Sequence, residues 1–193
     1  AITTYYDVAV ADAQWVVTSY VLVQTCALII SGKVAERVGQ AKMFNVGLVV
    51  FSISSLLCAL SSGLSQLIIF RTIQGLGASL LFSVSTAIVF RTFGPSERGK
   101  AMGFLGAIVA MGALLGPVIG GLLVGTLGWQ SIFFVNVPIG LVAAAIAIKV
   151  MKDDEVLCDR LRLDLPGSVL WTACIASLVL MLGSLGDSGR PDP

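Results

Sequence analysis

The sequence has no histidine and little charge, with 12 Lys and Arg and 11 Asp and Glu among 193 residues. Charged residues make up 12% of the chain, where a soluble domain carries roughly 25%, so a water-facing surface of ordinary composition cannot be built from it. The four cysteines, Cys26, Cys58, Cys158 and Cys174, form no CxxC pair and have no histidine to complete a metal cluster. Cys26, Cys58 and Cys174 read as small apolar packing residues inside helices, and Cys158, in a polar stretch, reads as a free thiol. A net charge of +1 with no basic patch interleaved with aromatics offers no footprint for nucleic acid. No catalytic constellation, metal site or cofactor is expected, and the chain does not read as an enzyme.

What the sequence does contain is long neutral stretches. Ala13–Gly32, Met43–Phe70, Thr72–Phe90, Ala101–Ile148 and Leu165–Gly186 carry no charge apart from their boundaries, and about 20 apolar residues suffice for a helix to cross the hydrocarbon core. Ala101–Ile148 is long enough for two crossings joined near Gly125–Gln130. Spans are therefore predicted near 14–32, 44–61, 66–90, 102–124, 132–150 and 166–183. Each must be helical, because backbone amides facing lipid have to be satisfied within the segment, and the runs lack the alternation of a barrel strand. A soluble bundle cannot hide six such helices in a core this small. The fold class is all-α, a multi-span transmembrane bundle with membrane lipid as its main partner, in the plasma membrane.

Basic residues set the orientation. Lys33, Arg37 and Lys42, then Arg91, Arg98 and Lys100, then Lys149, Lys152, Arg160 and Arg162 occupy alternate connections, while 61–66 and 125–130 are uncharged. By the positive-inside bias the charged connections are cytoplasmic. This organises the chain as an outer segment 1–13, five spans over 14–150, a cytoplasmic linker 151–165, a further span 166–183 and a tail 184–193. The linker reads as a surface segment or short amphipathic helix, with Pro166 in the first turn of the next helix. An outer start with no leader to carry it across predicts an earlier helix outside the chain, and the tail closes no domain, so the expectation is a fragment of a larger protein.

Within the membrane, Arg71 is the one charge between Met43 and Phe90. It lies roughly 7 Å inside the outer end of a span starting near Gln66. Either it snorkels to the outer headgroups or it faces a water-filled interior, where ionisable residues mark a substrate or ion path. Gln74 and Gly75, three and four residues on, share its face, and Gly77, Ala78 and Ser79 continue a small-residue surface for helix packing. These neighbours favour the interior. Gly112, Gly116 and Gly120 stack at four-residue spacing beside Gly121, and Pro117 predicts a kink; the face can serve packing alone or also a sliding contact. Gly32 and Gly39 are expected to bound a tight cytoplasmic turn in which Lys33, Glu36 and Arg37 form ion pairs or caps. Trp15 and Trp129 read as outer interface anchors. Asn136, near Pro138, needs a hydrogen-bond partner and is expected to brace a helix contact.

Four stretches in this order and spacing resemble the amino-terminal half of the major facilitator superfamily, in its drug:proton antiporter branch with fourteen spans. Gly32–Met43 is similar to the signature loop between the second and third helices. Leu67–Ser79, containing Arg71-Thr72-Ile73-Gln74-Gly75-Leu76-Gly77, is similar to the fourth-helix motif. Gly112–Gly121 resembles the antiporter motif of the fifth helix, and Trp129–Gly140 the start of the sixth. Leu163-Asp164-Leu165-Pro166-Gly167 resembles the start of the extra central helix of that branch. The resemblance covers about Gln14 to Leu182.

The resemblance implies that Arg71, with Gln74, belongs to the proton-coupling machinery. It implies that Gly112, Gly116, Pro117, Gly120 and Gly121 form a bendable contact between halves, and that Gly32, Glu36, Arg37 and Gly39 belong to a cytoplasmic gate. The sequence departs from the pattern at Glu36, where Asp is usual, and at Gln40 and Ala41, where basic residues are usual. The implied function is proton-coupled efflux of hydrophobic or amphipathic small molecules, with faces around Gln74, Ser79, Ser83 and Ser85 lining a cavity. The implied partners are those substrates, protons, a missing first helix and a missing carboxy-terminal half, without which this piece should be inactive. The alternatives are a non-transporting truncated protein or scaffold and a facilitator-type metabolite transporter.

Overall fold

A computed structural model of the chain describes residues 2–151 and 165–187. It is helical throughout: α1 (Ile2–Tyr6), α2 (Val10–Val38), α3 (Gln40–Ala59), α4 (Leu64–Thr92), α5 (Arg98–Leu127), α6 (Ser131–Val150) and α7 (Leu165–Asp187). Five of these, α2 to α6, are long and apolar enough to cross a membrane, and α7 adds a shorter apolar stretch, Pro166–Val179. The chain is an integral multi-pass bundle. The expected linker, with Cys158, and the last part of the expected tail lie outside the described residues.

Helix ends differ from the expectation on the side expected to be cytoplasmic. The segment after Gly32 is no loop: α2 runs on to Val38, and the whole turn is made at Gly39, whose φ of 108° suits a residue without Cβ. Its amide still bonds the Ala35 carbonyl at 3.0 Å, and α3 begins at the next residue. Gly32 is therefore helical and faces Ser83, whose Cβ would lie 3.8 Å from an added methyl. Lys33 and Glu36 pair along α2 at 3.4 Å with both side chains about half exposed, 50% and 46%, so the pair contributes little.

The centre of the bundle is α3 and α4. Side by side, they pack with α2 against α4, α6 against α3, and α7 against α2, while α5 touches α4 and α6 only lightly. Small residues make the close contacts. An added methyl on Gly75 would meet the Tyr20 carbonyl oxygen of α2 at 2.7 Å, and one on Gly77 would meet the Phe51 amide nitrogen of α3 at 2.8 Å. Lipid offers no hydrophobic drive for helices to pair, so such backbone approach supplies the attraction through dispersion.

Gly140 of α6 makes the same kind of contact with α3, where the Ser52 hydroxyl occupies the space a methyl would need. That hydroxyl is fixed by its bond to the Leu48 carbonyl at 2.7 Å. Gly140→Ala should therefore lower stability by about 1–2 kcal/mol through overpacking. Adding Ser52→Ala should recover most of it, read as the thermal midpoint in detergent; no recovery would separate the two positions.

The segment before the first long helix carries a short helix of its own, α1. Asp7, at φ 50°, links α1 to α2, and α1 folds over the outer end of the bundle. There Trp129 is only 4% exposed, in a cluster with Val16, Cys58, Leu67 and Phe133. Its indole packs on Tyr5 and Tyr6 with ring centroids 5.5 and 5.6 Å away. Trp129 is thus an internal cap rather than an interface anchor; Trp15, 43% exposed, keeps an exposed position. Of the cysteines read as packing residues, Cys58 is buried, Cys26 half-buried and Cys174 exposed. Cys174 therefore packs against nothing that encloses it among the described residues.

Candidate functional site around Arg71

Arg71 lies seven residues into α4, which begins at Leu64, so its backbone is about 10 Å along the helix. Side chains on a helix lean toward its N-terminus, here the outer end. The guanidinium is enclosed by aromatic rings rather than extended away from the bundle. Its carbon sits 5.2 Å from the Tyr20 ring centroid of α2 and 4.7 Å from that of Phe133 at the start of α6. Both distances are within cation–π reach. A guanidinium suits such a place better than an ammonium because it is planar and weakly hydrated.

One polar relay continues inward. Arg71 donates through Nη1 to Gln74 Oε1 at 2.9 Å, and Gln74 donates through Nε2 to Ser55 Oγ at 2.6 Å. Ser55 in turn donates to the Phe51 carbonyl at 2.7 Å. Gln74 and Ser55 are essentially inaccessible, at 1% and 0%. The relay thus joins α4 to α3 across their buried face. Arg71 Nε is buried with no partner, and among the described residues no carboxylate pairs with Arg71.

This arrangement differs from a cavity wall. Gln74 and Ser79 are buried between helices, and Ser79 bonds Ser31 of α2 at 2.8 Å. Ser83 and Ser85 bond carbonyls of their own helix, at Leu80 and Leu81. Two apolar clefts, of about 400 and 600 Å³, lie instead at the outer end, one against Gln14 and Ile132 and one against Leu60 and Pro138. Neither is walled by Gln74 or Ser79. Asn136 is only partly buried and makes no side-chain hydrogen bond among the described residues, so it does not brace a contact within this bundle.

The other predicted residues are scattered. Gly112, Gly116, Gly120 and Gly121 have nothing within 4 Å of an added methyl, and no residue of α5 is buried. α5 is assigned as one helix through Pro117. Glu36 pairs with Lys33 rather than with Arg37. Tyr20, Phe133 and Ser55 are the site residues that reading the sequence left out. Ser54-Ser55 within an apolar run was the available signal for the relay; nothing in one dimension pairs Tyr20 or Phe133 with Arg71.

A bundle of membrane-crossing helices, closely packed through glycine and serine and holding the Arg71 guanidinium between its helices, defines an integral multi-pass membrane protein. The sequence matches the family model described as Major Facilitator Superfamily over residues 1–186, and the chain belongs to that superfamily. Its members are transporters and not enzymes. The riboflavin transporter RibZ of Clostridioides difficile (strain 630) is 37% identical over 95% of this chain and 40% of its own length. The probable multidrug resistance protein EmrY of Escherichia coli (strain K12) is 31% identical over 98% of this chain and 36% of its own length. The crystal structure of the peptide transporter POT (E310Q mutant) in complex with alafosfalin superposes with a TM-score of 0.70 at 16% identity, over 96% of this chain and 39% of that one, a likeness of fold. The chain spans about two fifths of the length of these relatives.

Proposed function

We propose that the complete protein containing this chain exports hydrophobic or amphipathic small molecules in exchange for protons, as a fourteen-span antiporter of the plasma membrane. The observation that carries this reading is the Arg71 guanidinium, held within the span by two aromatic rings and Gln74, with Nε unpartnered and no carboxylate against it among the described residues. An intramembrane cation in this state favours a mobile anionic partner. An acid supplied by a helix outside this chain would bind it when ionised and leave it when protonated, which links a proton to a change of shape. EmrY, described as a probable multidrug resistance protein, supports the substrate class.

In this reading Gly112, Gly116, Pro117, Gly120 and Gly121 contact the other half. Their open face suits a surface completed by further helices. Glu36, Arg37 and the Gly39 turn form the cytoplasmic gate with Gly32 behind them, and Asn136 and Pro138 pack against helices outside this chain. Gly75 and Gly77 hold the bundle that presents Arg71.

The test is efflux of a fluorescent cation from cells expressing the complete reading frame. Export should be lost on adding an uncoupler and reduced at least about tenfold by Arg71→Ala, the size expected when a buried charge-assisted interaction worth about 1.5–3 kcal/mol is removed. Efflux unchanged by both would remove proton-coupled export through this site. A second reading, a metabolite facilitator, is favoured by the likeness to RibZ, described as a riboflavin transporter. Uptake of riboflavin by the same cells, insensitive to Arg71→Ala, would support it over export.

A further inference from the structure

The aromatic groups around Arg71 do not end at the guanidinium. Phe133 presents its ring to Arg71 at 4.7 Å and to Trp129 at 6.0 Å, edge to face at 85°. Trp129 packs on Tyr6 at 5.6 Å, and Tyr6 donates its hydroxyl to the Ser61 carbonyl at 2.9 Å. One contiguous series of contacts thus runs from the cation in α4 through the start of α6 and the α5–α6 turn to α1 and the α3–α4 connection.

The links differ in kind. Trp129, Tyr6 and Ser61 are held by apolar packing, ring geometry and a neutral hydrogen bond, none of which depends on ionisation. The contact between Arg71 and Phe133 depends on an exposed positive charge facing a ring. A carboxylate that paired with the guanidinium would compete with the ring for it and draw it away. Within this series of contacts the charge-dependent link is therefore the one at Phe133; the second ring over the guanidinium, Tyr20, belongs to α2 and stands outside the series.

We propose that Phe133 is a positioning residue that ties the placement of the Arg71 guanidinium to closure of the outer end of the bundle. With the guanidinium against Phe133, the start of α6 and the Trp129 turn are held down over Val16, Cys58 and Leu67. With the guanidinium engaged elsewhere, the turn loses that hold and the cap under α1 loosens. What draws Arg71 away rests on the export reading above. The coupling between Phe133 and the cap does not, because it can be measured without transport.

Cys58, 0% exposed within the same cluster, reports the opening. In the full-length protein with every other cysteine replaced by serine, its rate of reaction with a membrane-impermeant maleimide added to the outer side is measured in membranes. Phe133→Met keeps side-chain bulk and removes the ring; it should raise the rate about fivefold to tenfold, the range a partly desolvated cation–π contact spans. Arg71→Met should raise it similarly, and the double variant should be no faster than either single one, because both remove the same contact. Phe133→Tyr, which keeps a ring face, should label as the parent does. An unchanged rate in Phe133→Met overturns the proposal. So do single effects that multiply in the double variant, which would make Phe133 a space-filler alone. Phe133→Leu, judged by the same cycle, replaces the methionine variant if that protein fails to reach the membrane. Loss of uncoupler-sensitive efflux in Arg71→Ala with additive labelling would leave export standing and this coupling refuted; the reverse outcome would do the opposite.

Discussion

Gly77→Ala should destabilise the bundle by about 1–3 kcal/mol, although alanine is the better helix former. The propensity gain of replacing glycine inside a helix is at most about 1 kcal/mol. Against it stands a methyl 2.8 Å from the Phe51 amide nitrogen and 3.1 Å from its Cα. Those atoms belong to the α3 backbone and cannot rotate away, so α3 and α4 must separate along their contact, and overpacking of this kind costs about 1–3 kcal/mol. Gly77→Leu should cost more, to the point of lost expression. Gly112→Ala provides the contrast, since its methyl would meet nothing within 4 Å, and within this bundle it should be neutral or gain up to about 1 kcal/mol. Reversible unfolding in detergent measures both, and equal effects at the two positions would show that the α3–α4 approach does not limit stability.

Gln74→Leu is expected to cost about 2–4 kcal/mol, more than its change in volume would suggest. Leucine fills the space but leaves Arg71 Nη1 without its acceptor and Ser55 Oγ without the donor now at 2.6 Å. A hydrogen bond to a charged group contributes about 1.5–3 kcal/mol, and a buried orphan adds its own desolvation penalty. Arg71 already has one unpartnered buried nitrogen, Nε, so the change doubles an existing deficit. Gln74→Glu keeps an acceptor and adds a charge-assisted bond; it should be more stable than Gln74→Leu while holding Arg71 in place. The same unfolding measurement orders the two variants, and Gln74→Leu matching the parent would mean the relay carries no net stability.

The distribution of charge made the crossing helices legible, because lipid admits few alternatives to a helix and the basic residues fall in alternate connections. Rotation of each helix about its axis was less legible. α3 and α4 are apolar nearly all round, so periodicity does not mark their buried faces; Gly75, Gly77, Ser55 and Ser79 do, by being small or polar. Gln74 and Ser79 read as cavity residues because a polar side chain in a span suggests water, whereas Ser55 and Ser31 on neighbouring helices satisfy them instead. The segment Gly32–Gly39 read as a loop because its charges imply water. Charge on the last turns of a helix is compatible with helix, and Gly39 is where it breaks. The cap of α1 over Trp129, and the rings around Arg71, depend on contacts between distant segments that no local pattern encodes.

Most serine hydroxyls in α3 and α4 bond carbonyls one turn back on the same helix: Ser52 to Leu48, Ser54 to Val50, Ser55 to Phe51 and Ser85 to Leu81. Groups already tethered in this way have no free proton to offer an adjacent helix. The union of α3 with α4 therefore rests on steric fit and on the one bond that Gln74 donates to Ser55, both buried between the helices, and it should be indifferent to the polarity of whatever surrounds it. Moving the protein between bilayers, micelles and polymer belts ought to leave this pair together while more weakly packed helices rearrange around it.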